Sequence, residues 1–109
     1  MSKKLDQYLA SITDESQKMV IEEFKALLKG AKGDQEELAK ETAKKIEKWL
    51  EMRIKGELDN DELESLINSR RRTIRQSLNT LQIQARDRVQ RVSLGLLNIV
   101  GDMLINKVV

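Results

Sequence analysis

Seven arginines and a single acid, Asp87, fall within residues 68 to 92, NSRRRTIRQSLNTLQIQARDRVQRV. Guanidinium groups at that density can do two kinds of work. They can hold a polyanion such as a phosphate backbone, or they can pair with carboxylates on neighbouring helices. The segment just before is the reverse: residues 57–69 carry five acids and no base, whereas 70–91 carry seven bases and one acid.

Helical projection places Arg71, Arg75 and Arg86 on one flank of an apolar stripe and Arg70, Arg88 and Arg91 on the other, with Arg72 further out. Flanking positions are where charged side chains meet adjacent helices. Acids are available to meet them: Glu22, Glu23, Glu36, Glu37, Glu41, Glu47 and Glu51. A structural and solubilising role therefore accounts for most of the cluster, and Arg71, Arg72, Arg75 and Arg86 stand as candidate anion or nucleic-acid contacts. Single-strand binding usually adds aromatic stacking, yet no aromatic follows Trp49 and the whole chain is only +2.

Other chemistry finds little to work with. The chain has no histidine and no cysteine, which removes the commonest general base and the strongest nucleophile. Adjacent carboxylates such as Glu22–Glu23 and Glu36–Glu37 diverge on a helix instead of converging on a substrate. A carboxylate-bridged metal site in a bundle wants Glu-x-x-His pairs, and none can exist here. The stretch KGELDNDELESLI has the exit half of a calcium loop, but Glu51, Arg53 and Lys55 occupy the entry positions and spoil it. "GAKG" lacks both the spacing and the preceding strand of a phosphate loop. The expectation is a non-enzymatic protein with no cofactor and no metal.

The elements that must carry these residues are helical. With 109 residues, no proline, five glycines and three aromatics, the composition suits an all-α protein with one modest core. Leu5, Tyr8 and Leu9 suggest a short helix over 3–12, and Thr13 could cap a second over 14–29. Asp34 and Glu37 form a capping-box-like start for a third over 34–55, and Gly56 suits its C-terminal stop. Asp59 with Glu62 opens the last. From there, steps of four, three and four visit Leu63, Ile67, Arg70, Ile74, Leu78, Leu81, Ala85, Val89, Val92, Leu96, Val100 and Met103, and only Arg70 is not apolar. That eleven-residue repeat (a hendecad) predicts one very long, nearly straight helix over about 60–107, with Gly95 and Gly101 as the places where it could break. The fold expected is thus an all-α helical bundle of three to four helices in a single domain, 1–109.

Such a helix would run roughly 70 Å, while its shorter neighbours cover only about 33 Å of it. The uncovered part would be the most apolar of the chain, so it predicts an interface. Val89, Val92, Leu96, Leu97, Ile99, Val100, Met103 and Leu104 are the expected contact residues, and a homodimer or other homo-oligomer is the expected partner. A different protein partner would serve equally. Nucleic acid through the arginines comes second. A membrane surface bound by the amphipathic C-terminal helix comes third, since Asn98, Asp102, Asn106 and Lys107 give it a polar stripe. The opening MSKKLDQYLASITDE meets acids too soon for a secretory signal, and no apolar run reaches the ~20 residues of a membrane span. A soluble, cytoplasmic interaction module is the reading that results.

Overall fold

The computed structural model describes residues 3–11 and 15–104. Over these the chain is an all-α bundle: α1 (Lys3–Ala10), α2 (Glu15–Lys32), α3 (Glu37–Ile54), α4 (Asn60–Ser77) and α5 (Ile83–Ile99). A 3-10 turn, Leu78–Thr80, closes α4, and a π-helical turn, Val100–Leu104, extends α5. The cap expected at Thr13, the end of the first helix at Ile12 and the last residues, 105–109, lie outside the described residues.

Local chemistry explains most boundaries. Asp59 and Glu62 make a complete capping box: the Glu62 amide donates to Asp59 Oδ1 at 2.7 Å, and the Asp59 amide donates to Glu62 Oε1 at 3.1 Å. At the far end of α3 the Gly56 amide donates to the Arg53 carbonyl and the Glu57 amide to the Met52 carbonyl. Those two bonds are a Schellman stop, and they require the left-handed backbone that Gly56 supplies at φ +81°. The expected capping box at the start of α3 does not form. Its N-cap is Glu36, with no side-chain cap, and Asp34 instead accepts from the Glu36 amide at 2.8 Å in an Asx-type turn. The second helix also passes straight through Gly30, because an exposed glycine costs a helix only about 1 kcal/mol.

The long C-terminal helix is not present. The chain reverses at residues 78–82, well before Gly95 and Gly101, and α5 folds back along the bundle, which so holds five α-helices among the described residues, more than the three to four expected. Leu81 and Gln82 are extended, with ψ near 150° at each. Thr80 Oγ1 donates to the Ser77 carbonyl at 2.7 Å, and Arg86 donates from Nε to the Leu78 carbonyl at 3.1 Å and from Nη2 to the Leu81 carbonyl at 3.2 Å. Carbonyls that would have continued the helix are thereby satisfied by side chains. The energetic reason is burial. Enclosing Val89, Leu96, Leu97 and Val100 is worth about 1.5–3 kcal/mol each, whereas the corner gives up a few helical hydrogen bonds at about 1 kcal/mol net apiece. Collapse wins.

Helices α2, α3 and α5 pack on one another, α4 lies against α3 and α5, and α1 rests on α3. Phe24, Leu28, Ile46, Leu50, Leu63, Ile67, Ile74, Leu96 and Leu97 form the heart of the core, joined at one side by Leu5 and Leu9. The eleven-residue stripe faces this core from both sides of the corner, with Leu63, Ile67, Arg70, Ile74 and Leu78 buried on the first arm and Val89, Leu96 and Val100 on the second. The Cα radius of gyration is 13.6 Å, close to the ~13 Å of a single closed domain of this length. No described helix is long and apolar enough to cross a membrane.

Candidate functional site

The residues expected to form an interface are already in use. Val89, Leu96, Leu97 and Val100 are no more than 1% exposed, and Val92 and Ile99 pack partly buried against the same core. The side chains of Met103 and Leu104 lie outside the described set. The described part of the apolar face, Val89 to Val100, is covered by α2, α3 and α4 of the same chain.

The arginines divide into two groups. Three are tied into the fold. Arg70 is buried, donating from Nε to Thr42 Oγ1 at 3.0 Å and from Nη2 to the Leu38 carbonyl at 3.3 Å. Arg86 holds the corner described above. Arg88 forms a two-pronged pair with Asp34, both contacts at 2.9 Å. The Arg88 hydrogen bonds hold the Asp34 carboxyl below its ordinary range, even though burial pushes it the other way. Burial is also what lowers Arg70 from its ordinary value.

The other four lie together on the outside. Arg71 donates to Asn68 Oδ1 at 3.0 Å on its own helix and to Asn98 Oδ1 at 2.9 Å on α5. That bond, with Arg86 on the Leu78 carbonyl, sets the antiparallel register of α4 and α5. One turn along α4 from Arg71 comes Arg75, and two turns back along α5 from Asn98 comes Arg91. That register sets these two about one turn apart along the same α4–α5 seam, with Arg72 beside them on the crest of α4. Arg72, Arg75 and Arg91 are exposed and have no hydrogen bond or ion pair among the described residues. Of the four arginines expected as anion contacts, Arg71, Arg72 and Arg75 therefore share one surface. Arg86 does not, and Arg91 takes its place.

Other hollows are less suited to recognition. A cleft of about 410 Å³ beside α2 is lined by Asp6, Lys25, Leu28, Lys29 and Lys32. It carries its own acid, and Lys32 is drawn to Glu47 at 2.7 Å, a contact that raises the lysine's pKa. A second, of about 340 Å³, is the mouth of the Asp34–Arg88 pair, where the charges are already matched. A third, of about 160 Å³, runs between α3 and α4 and has buried Arg70 in its lining.

Sequence reasoning missed the Asp34–Arg88 pair and the Thr42–Arg70 bond. The latter had a signal, because Arg70 is the one polar interruption of an otherwise apolar stripe. The former had none. No protein-family model, no curated protein and no solved structure matches this chain.

Proposed function

We propose that this chain is a non-enzymatic helical interaction module, and that it docks an acidic segment of a partner protein across the outer surface of α4. One observation carries the reading: Arg72, Arg75 and Arg91 stand exposed and unneutralised among the described residues, beside Arg71, on a single face of a rigid helix pair. Like charges gathered in this way repel one another and gain from an anionic visitor. The absence of histidine and cysteine leaves little for catalysis. Self-association through α5 is not the reading preferred, since Val89, Leu96, Leu97 and Val100, four of the residues expected to carry it, are enclosed by their own chain.

Binding of fluorescent poly-L-glutamate, followed by anisotropy at rising salt, tests the proposal. Binding at low salt that weakens as salt rises, and that is lost in Arg72→Glu/Arg75→Glu/Arg91→Glu, is the expected result. All three positions are exposed, so the variant keeps its helical circular dichroism. Absence of binding at low salt refutes the reading.

A second reading, a phosphate backbone on the same arginines, is favoured by guanidinium chemistry. No aromatic lies on α4 or α5 to stack a base. Duplex or single-stranded DNA of matched charge that binds more tightly than poly-L-glutamate would replace the first reading with the second.

A further inference from the structure

A buried guanidinium normally hydrogen-bonds a carboxylate, whereas Arg70 has only a long ion pair. It is 8% exposed, and the acid it pairs with, Glu41, holds Oε2 3.8 Å from Nη2, an ion-pair distance too long for a hydrogen bond, on a side chain that is itself 57% exposed. Its hydrogen bonds go to two neutral oxygens, Thr42 Oγ1 and the Leu38 carbonyl. Nη1 makes none among the described residues. Taking an arginine out of water is costly unless its charge is closely answered. In this fold the guanidinium is hydrogen-bonded only by neutral groups, and its charge is answered by one long ion pair, to Glu41, on the solvent side.

Arg70 lines the groove between α3 and α4 together with Lys45, Trp49, Leu66, Ser69 and Thr73. At about 160 Å³ the groove falls below the ~300–1,000 Å³ of small-molecule and cofactor sites and matches a single side chain. Its walls are mixed. Trp49 and Leu66 are apolar and half-buried, Ser69 and Thr73 offer hydroxyls, and Lys45 adds a second cation. A phosphate backbone has no use for the apolar walls, whereas a glutamate or aspartate side chain flanked by aliphatic groups fits both parts. The groove borders the crest of α4 that carries Arg72.

We infer that this groove is the anchor point of the interaction surface, receiving one carboxylate-bearing side chain of an acidic peptide against Arg70 and Lys45, with Trp49 and Leu66 packing on its aliphatic stem. The inference deepens the docking role proposed above by naming the group that is recognised. It is separable from that proposal, because a probe with a single carboxylate does not depend on the outer arginines.

Trp49 is the only tryptophan of the chain, so its fluorescence reports on this groove. The probes are two blocked heptapeptides, alanine and leucine throughout except for a central glutamate in one and a central glutamine in the other, titrated at constant ionic strength. The glutamate peptide is expected to shift the emission of Trp49 and to bind about tenfold more tightly than the glutamine peptide. Arg70→Met, which keeps the length of the side chain without its charge, should erase that preference, and Lys45→Glu should weaken the glutamate peptide by a similar factor. Lys45 is exposed, so its variant stays folded even if Arg70→Met does not. The Arg72→Glu/Arg75→Glu/Arg91→Glu variant should keep the preference while losing poly-L-glutamate. Equal responses to the two peptides, or a preference that survives in folded Arg70→Met, would overturn the inference. So would inorganic phosphate that displaces the glutamate peptide at lower concentration than acetate does.

Discussion

Arg88 of α5 clasps Asp34, 54 residues earlier in the chain, through two parallel hydrogen bonds of 2.9 Å, Nε to Oδ2 and Nη2 to Oδ1. The same carboxylate accepts the Glu36 amide and so shapes the turn into α3. One buried side chain thus fixes both the α2–α3 connection and the seat of α5.

Stability should fall in acid partly through this group. The pKa of Asp34 is lowered in the fold, first by the Arg88 hydrogen bonds. Its contribution is therefore fully present above the unfolded carboxyl value of about 3.9 and is lost as pH drops through the lower folded value. Asp34→Ala should cost about 1–2 kcal/mol near neutrality, an amount kept modest because Arg88 is 42% exposed at its side chain. Urea unfolding at pH 6 and at pH 3 measures this, and the gap between wild type and variant should narrow at the lower pH.

Arg86 should be hard to replace at the corner. It donates to the carbonyls of Leu78 and Leu81 from two different nitrogens, a fork that lysine cannot reproduce. Arg86→Lys is expected to lower stability by about 1 kcal/mol and Arg86→Ala by somewhat more. Faster amide exchange over residues 78–82 would locate the loss. Unchanged exchange there would deny Arg86 this role.

Ser93 should be better as alanine. It is fully enclosed on α5, and its Oγ has no hydrogen-bond partner. An unmet buried hydroxyl costs about 1–3 kcal/mol, and alanine also has the higher helix propensity. Ser93→Ala should raise Tm by about 4–8 °C, as read by thermal circular dichroism. A lower Tm would mean the hydroxyl is satisfied in solution.

Leu96→Asp separates a core residue from an interface residue. Leu96 is 0% exposed within its own chain, so an aspartate there must be buried in apolar surroundings. The expected outcomes are loss of the helical signal in the variant and, for the wild type, a light-scattering mass equal to one 12.6 kDa chain. A wild-type dimer that Leu96→Asp splits into folded monomers would restore α5 to an interface.

The sequence alone determined the helical class, the direction in which each apolar stripe faces, the capping box at Asp59–Glu62 and the stop at Gly56. These are short-range matters: 3.6-residue periodicity and hydrogen bonds that close within a turn or two can be read from neighbours in the chain. It also marked Arg70, as the one charge in an apolar stripe, without saying what it meets. The reversal at residues 78–82 was decided by the tertiary structure. An apolar stripe runs unbroken through Leu78, Leu81 and Ala85 whether the helix continues or doubles back, and Ser77, Asn79 and Thr80 give only a weak turn signal beside it. Burial of Val89, Leu96, Leu97 and Val100 against α2 and α3 tips that balance, and it is a long-range term. The same term sorted the arginines. Only when α5 lies against α4 do Arg75 and Arg91 come to one seam, while Arg70, Arg86 and Arg88 are drawn into the fold by groups that no local pattern places beside them.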